Sequence, residues 1–118
     1  MNIPKNLLYT KTHEWVEEDG DTMKVGLTEH ATEQLGDLVF INLPEVGDSV
    51  EAEGEFGDVE SVKAVSDVLS PATGEVTAVN ETALDSPEAV NADPYGVWLA
   101  QTGNITAKRE LLSPEEYE

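Results

Sequence analysis

Apolar and polar side chains alternate along this chain, and the dominant period is two rather than the 3.6 of a helix. Strand patterns occupy 22–27, 38–43 and 74–79, of which 38–43 is a continuous buried-strand pattern. Turn signals separate these runs, at 18–21, 44–48, 70–74 and 93–96. This spacing is typical of a compact sandwich or barrel, and the sequence therefore predicts a mainly β fold.

Three short stretches depart from the alternation and predict helices. The stretch 28–35 begins with a Thr in the N-cap position and is followed by a Gly suited to the C-cap. The stretch 86–91 has a Ser N-cap with Pro at the first helical position, and 113–117 repeats this signature at the C-terminus. No low-complexity linker divides the chain, so we expect a single domain over residues 1–118.

Charge restricts the partners that the chain can have. Its 118 residues include 25 Asp and Glu against 6 Lys and Arg, a formal net charge of −19. Such a surface repels phosphate backbones and anionic lipids, so we expect neither a nucleic acid nor a membrane as partner. A hydrophobic content of 39% is still enough to form the core of a small domain.

Cysteine and histidine usage excludes further classes of chemistry. The chain has no cysteine, which excludes disulfides and thiolate chemistry, and its two histidines, His13 and His30, lack metal-ligand spacing, so we expect no metal site. The N-terminus lacks the apolar run of a signal peptide, and no apolar stretch could span a bilayer. We expect a soluble protein, cytoplasmic in a prokaryote, with a mature mitochondrial form left open.

One segment, 56–69, carries the signal for chemistry. Two strand-like runs meet at Lys63, and no Asn-Gly or Gly-Gly marks the turn between them. A lone lysine at such a hairpin tip would be fully presented to another protein's active site, as covalent modification of an amine requires. An alternative interpretation, equally consistent with this pattern, is that Lys63 is an ordinary exposed lysine that balances nearby carboxylates. Those carboxylates are Asp58, Glu60 and Asp67.

A resemblance to a known family covers nearly the whole chain in order. The segments that carry it are Thr12–Trp15, Val25–Ala31, Leu35–Gly47, Val59–Asp67, Ser70–Val76 and Val90–Gly96. Together they resemble the H protein of the glycine cleavage system, a lipoyl-carrying family. The Glu-Ser-Val-Lys-Ala block around Lys63 is the most specific, because biotinyl domains flank their lysine with Met and acyltransferase lipoyl domains carry Asp-Lys-Ala.

The resemblance implies a fold and a function. The fold is a barrel-sandwich hybrid (lipoyl/biotinyl-like) of two small antiparallel sheets. Its lipoyl-like core spans about 22–102, with N-terminal strands before it and a short C-terminal helical segment after it. The implied function is that of a carrier rather than an enzyme, with lipoate attached covalently to Lys63. It takes the aminomethyl group of glycine from glycine decarboxylase to the aminomethyltransferase and is reoxidised by dihydrolipoamide dehydrogenase.

The resemblance also assigns site residues. The cleft that receives the aminomethyl arm is expected to include Thr12, Glu14, Asp67 and His30. Recognition by the lipoate-attaching enzyme is expected to involve Glu60, Ser61, Val62 and Ala64. Each cleft residue also has a structural alternative: Glu14 as the polar face of an edge strand, His30 as a hydrogen-bonded helix residue, and Asp67 as a local charge partner of Lys63. We interpret Trp15 and Trp98 as core anchors.

Three other functions compete with the shuttle. A related carrier could relay octanoyl or lipoyl groups to the 2-oxoacid dehydrogenases, and the Thr12, Glu14 and Asp67 set favours the shuttle over this relay. A biotinyl carrier is opposed by the flanks Val62 and Ala64. A hydrolase with paired carboxylates is weakly supported, because no pair lies in an apolar setting that would shift a pKa. We expect a monomer.

Overall fold

Residues 3–117 are described in this computed structural model, so residues 1, 2 and 118 of the expected domain lie outside the described residues. Nine strands occur in the described range: β1 Leu8–Tyr9, β2 Glu14–Asp19, β3 Thr22–Leu27, β4 Leu38–Asn42, β5 Ser49–Val50, β6 Glu55–Ser61, β7 Val65–Leu69, β8 Ala72–Val79 and β9 Ala100–Lys108. Four short helices accompany them there: α1 Glu29–Leu35, α2 Glu81–Asp85, α3 Glu88–Ala92 and α4 Pro114–Tyr117.

The strands form two antiparallel sheets. One sheet has six strands in the order β1-β2-β3-β9-β8-β5, and the other has three in the order β4-β6-β7. The main apolar core takes side chains from both sheets, among them Val25 and Val76 from the first and Ile41, Val59 and Val68 from the second. The predicted fold class, mainly β with two antiparallel sheets, is confirmed.

Alternation located the strands well but misjudged the faces of one of them. The predicted run 22–27 is β3, and 74–79 lies within β8. The run 38–43 was expected to be buried throughout, and this is wrong: Val39 and Phe40 are 51% and 53% exposed. The cause is a β-bulge between Leu38 and Phe40, which places two consecutive side chains on the outer face.

Helix caps follow the predicted chemistry with one exception. The Thr28 hydroxyl accepts the Ala31 N–H at the start of α1, as predicted. The predicted helix at 86–91 is α3, but it begins at Glu88 without a side-chain cap. Ser86 instead ends α2, a helix that the sequence reasoning missed. At α4, Ser113 and the backbone and carboxylate of Glu116 form a reciprocal capping box.

Candidate functional site

The turn between β6 and β7 is built around the hydroxyl of Ser61. This oxygen accepts the backbone N–H groups of Lys63, at 3.2 Å, and Ala64, at 3.0 Å. The Ser61 N–H in turn donates to the Ala64 carbonyl at 2.8 Å. A serine that bonds backbone groups two and three residues later closes a turn without Gly or Asn. This explains why the sequence lacks the usual turn residues beside Lys63.

The hairpin tip leans on the segment that follows α1. The Val62 N–H donates to the Asp37 carbonyl at 3.2 Å. The Lys63 side chain passes over Gly36, where an added Cβ would lie 3.4 Å from its Cε. Gly36 has a φ of 81°, a conformation that glycine adopts without strain, and it ends α1. The bonds of Ser61 and the bond from Val62 to Asp37 therefore fix the turn, while the side chain of Lys63 stays exposed.

Lys63 differs from the other four lysines of the chain in its surroundings. Lys5, Lys11 and Lys108 each lie within 4.0 Å of a glutamate, and Lys24 lies over the Trp98 ring at 5.2 Å. No carboxylate of residues 3–117 lies within that distance of the Lys63 amine. Lys63 thus forms no ion pair with a carboxylate in the part of the chain that the structure describes.

Asp67 lies among other carboxylates rather than beside the lysine. It sits opposite Asp58 in the register of β6 and β7. It also lies close to Glu55, and the interaction between these two carboxyl groups, with the charge of Asp58 nearby, raises the pKa of Glu55. The predicted pairing of Asp67 with Lys63 is therefore not formed.

Thr12 and Glu14 come together in a buried polar cluster at the start of β2. The Thr12 hydroxyl donates to Glu14 Oε1 at 2.6 Å, and the Thr10 hydroxyl donates to the same oxygen. The Leu69 N–H of β7 approaches Glu14 Oε2 at 3.4 Å. The guanidinium of Arg109 lies 3.5 Å from Oε1 and donates to Thr12 at 3.2 Å. Glu14 is thus no simple polar residue of an edge strand.

Burial dominates the electrostatics of this carboxylate. Glu14 and Arg109 have side chains only 1% and 6% exposed. Loss of water raises the pKa of Glu14 above its usual 4.5, whereas the bonds from Thr10, Thr12 and the Leu69 N–H and the charge of Arg109 lower it. Thr12 is exposed, so its hydroxyl connects the buried carboxylate to the protein surface.

His30 joins the surroundings of this cluster through His13. The two imidazole rings lie 4.2 Å apart between centroids. The Nδ1 atom of His13 lies 2.7 Å from the hydroxyl of Tyr117 on α4, and the Thr28 hydroxyl lies 2.8 Å from the same oxygen. Burial and the neighbouring His30 lower the pKa of His13. His30 is therefore packed at the junction of α1 and the C-terminal helix.

Of the four predicted cleft residues, two are in direct contact and the other two lie farther away. Thr12 and Glu14 are in direct contact, and His30 packs on His13, the residue between them in sequence. Asp67 lies two residues before Leu69 on β7, or roughly 7 Å along the strand. The sequence reasoning missed Arg109, although a single arginine in so acidic a chain was a signal that a specific carboxylate needs it.

Two grooves lie apart from this cluster. One, of about 280 Å³, is lined by aromatic side chains that include Trp15 and Trp98, with Lys24 at its edge. Trp15 is buried, as predicted for a core anchor, whereas Trp98 is only partly buried. The other groove, of about 400 Å³, separates α1 from α3 and is lined by Glu33 and Asp93 among others. Neither groove is lined by Thr12, Glu14, Asp67 or His30.

Neither a metal-ligand cluster nor a membrane-spanning helix is found in the part of the chain that the structure describes. No group of three or more His, Cys, Asp or Glu side chains there is placed to hold a metal ion. No helix within residues 3–117 is long and apolar enough to cross a membrane.

Two antiparallel sheets with an exposed lysine at a hairpin tip are the arrangement expected of a carrier domain of the lipoyl/biotinyl-like class. A family model described as "Glycine cleavage H-protein" matches residues 7–118. The glycine cleavage system H protein of Rubrobacter xylanophilus is 57% identical, over 98% of this chain and 91% of its own. That of Lachnoclostridium phytofermentans is 56% identical, over 100% and 94%. The crystal structure of a glycine cleavage system H protein from Mycobacterium marinum superposes with a TM-score of 0.92 at 46% identity, covering 98% of this chain and 95% of that one.

The chain therefore belongs to the glycine cleavage H-protein family, the lipoyl carrier of the glycine cleavage system. The predicted family and function are confirmed, and the chain is a carrier component of that system.

Proposed function

We propose that Lys63 is the lipoyl attachment site and that the protein is itself non-catalytic. The observation that carries this proposal is the exposed Lys63 at the tip of a hairpin that the Ser61 hydroxyl closes. In the proposed attachment, the Lys63 amine attacks the acyl carbon of adenylated lipoate. An amide bond forms, the acyl–phosphate bond breaks and AMP leaves. The nitrogen gives up two protons, one before attack and one after it, and keeps the third as the amide N–H. Acylation therefore replaces the positive charge of the Lys63 ammonium with a neutral amide.

The attached lipoate supplies the sulfur chemistry, which a chain without cysteine cannot provide from its own side chains. Under this proposal the chain carries the aminomethyl group of glycine from glycine decarboxylase to the aminomethyltransferase, and dihydrolipoamide dehydrogenase reoxidises the arm. The turn at Ser61 holds the attachment point, and tethering keeps the group at a high effective concentration near each docked enzyme.

The polar cluster at β2 is the proposed rest site for the amine of the cargo. An exposed Thr12 hydroxyl in contact with the buried Glu14 carboxylate offers a hydrogen bond backed by a negative charge. Asp67, on β7 of the three-stranded sheet, is proposed to add a second carboxylate to the path by which the amine reaches this cluster. His30 is proposed to line the same cleft behind His13.

The residues next to the lysine are proposed to be read by the lipoate-attaching enzyme. Val62 is 71% exposed, and Ala64 and Glu60 are exposed as well. Ser61 is buried in the turn, so its proposed contribution to recognition is the shape of that turn rather than a contact. We further propose one domain over 1–118 with its core at about 22–102, a monomeric state and a cytoplasmic location.

The test of the attachment site is acylation followed by mass spectrometry. The chain is incubated with lipoate, ATP and a lipoate ligase, and compared with Lys63→Arg and with the matched control Lys24→Arg. One lipoyl increment is expected on the wild type and on the control, and none on Lys63→Arg. An increment on Lys63→Arg, or acylation spread over the other lysines, contradicts the proposal.

The test of the carrier role is glycine-dependent release of carbon dioxide by glycine decarboxylase with the acylated chain. Transfer onto the arm is expected for the shuttle. Acylated protein that accepts no aminomethyl group but donates its lipoyl group to a 2-oxoacid dehydrogenase subunit would instead identify the relay. Glu14→Gln and Thr12→Val are expected to accept the group but to lose it to water faster than the wild type.

A further inference from the structure

The outer face of the three-stranded sheet carries an apolar row beside the hairpin tip. In the register, Phe40 of β4 lies opposite Glu60 of β6, which lies opposite Val65 of β7. Paired residues of antiparallel strands project to the same face. Phe40 and Val65 are 53% and 64% exposed, and Val62 extends the apolar surface into the turn. This surface, formed by Phe40, Val62 and Val65 around Glu60, is called the tip face below.

An acidic row borders the tip face on the side away from the turn. The next row on the same face, two residues along each strand, joins Asn42, Asp58 and Asp67, and Glu55 follows on β6. Among the described residues, no Lys or Arg lies within 4.0 Å of these three carboxylates. The face thus combines exposed apolar side chains with negative charge that no nearby cation balances. A binding partner with an apolar surface patch flanked by Lys or Arg side chains would complement both features.

We propose that the tip face docks the enzyme that acylates Lys63, with Phe40 and Val65 as the apolar anchors and Asp58 facing Lys or Arg side chains of that enzyme. This inference rests on the proposed function. The length of the Lys63 side chain determines which partner is proposed. The unmodified amine stands on a stem of four carbons, so an enzyme that reacts with it must contact the immediate surroundings of the turn. Enzymes that use the longer lipoyl-lysine arm can dock farther from the lysine.

The test compares two double variants with matched controls. F40T/V65T removes the apolar anchors from exposed positions, and V46T changes a valine that is 61% exposed in the connection after β4. E55Q/D58N removes two charges from the acidic row, and E81Q/D85N removes two exposed charges from α2. Unchanged melting temperatures establish that each variant folds. The rate of acylation by lipoate ligase is measured by intact mass at several carrier and salt concentrations.

We expect kcat/KM for acylation of F40T/V65T to fall about tenfold, mainly through KM, as for loss of interface anchors. The V46T control stays within about twofold of the wild type. E55Q/D58N is expected to lose several-fold at low salt and to approach the wild type at high salt, because charge screening removes the same attraction. The E81Q/D85N control keeps the salt dependence of the wild type.

A competition assay separates docking from reaction. K63R, which offers no acylatable amine at the tip, is expected to inhibit acylation of the wild type competitively, and F40T/K63R/V65T to inhibit about tenfold less well. Equal inhibition by both, or unchanged acylation of F40T/V65T, overturns the docking site. So does a variant that is acylated normally and fails only with glycine decarboxylase, because the face then belongs to that enzyme. Failure of the wild type itself to be acylated overturns the proposed function and the docking site with it.

Discussion

Removing Arg109 is predicted to destabilise the protein by leaving the buried charge of Glu14 without its cation. Loss of one partner of a buried ion pair costs about 3–5 kcal/mol. The lower end applies here, because the guanidinium is 3.5 Å from Oε1 and the carboxylate keeps its bonds from Thr10 and Thr12. We therefore expect Arg109→Met to lower the free energy of unfolding by about 3 kcal/mol. In a chain of 118 residues, this corresponds to a fall in Tm of about 12 °C.

A double-mutant cycle separates the pair from its surroundings. Glu14→Gln keeps the shape of the side chain but leaves Arg109 buried without an anion, so it is also expected to cost about 3 kcal/mol. The double variant E14Q/R109M removes both charges and is expected to be about 2 kcal/mol more stable than the sum of the single effects predicts. Urea unfolding followed by tryptophan fluorescence measures all four proteins. Strictly additive effects would refute the ion pair.

The pH dependence gives an independent check of the sign. The folded-state pKa of Glu14 is raised above 4.5 by burial, so the folded chain binds the proton more tightly than the unfolded chain. This group therefore lowers stability as pH rises from 4.5 through its folded pKa. Without Arg109 the folded pKa rises further, and the stability deficit of Arg109→Met relative to wild type should shrink as pH falls toward 4.5. A deficit that is the same at pH 7.5 and pH 4.5 would show that Arg109 acts by packing alone.

Three further predictions concern the hairpin, the core and the C-terminal helix. Ser61→Ala leaves two backbone N–H groups of the turn without their acceptor, so a loss of about 1 kcal/mol in unfolding free energy and slower acylation are expected, with both restored by Ser61→Thr. Gly26→Ala places a Cβ in steric overlap with the indole ring of Trp15, and urea unfolding should show a loss of about 2–3 kcal/mol. Tyr117→Phe removes the hydroxyl that bonds Thr28, and hydrogen exchange at the start of α1 should become faster.

Local patterns in the sequence predicted the parts of the fold that depend on local physics. Alternation found β3 and β8, and the cap at Thr28 found the start of α1. The exposure of Phe40 was not predictable in this way, because a bulge shifts the pleat without changing the hydropathy of the strand. The missed helix α2 begins at an Asn cap of a kind that also occurs in many turns.

The candidate site was predictable only in part for a similar reason. Lys63 stood out because the turn residues around it were missing, and the hydroxyl that replaces them belongs to Ser61, two residues away. The contact between Thr12 and Arg109, by contrast, joins residues 97 apart in the sequence. Antiparallel pairing and the packing of β1, β2 and the C-terminal segment decide that contact, and no local pattern encodes it.

The placement of the lysines leads to a conclusion about selectivity in the proposed acylation. Exposed ion pairs such as that of Lys108 with Glu18, at 2.7 Å, contribute at most about 1 kcal/mol. An ion pair of this strength lowers the rate at which the paired amine reacts by no more than about tenfold, so pairing of the other lysines cannot by itself restrict acylation to Lys63. We infer that the restriction comes from features that Lys63 has and Lys108 lacks: a turn closed by Ser61 and an exposed apolar face beside it. For this reason we expect Lys63 in a peptide of the same local sequence, without the sheet that carries Phe40, to be a poor substrate for the acylating enzyme.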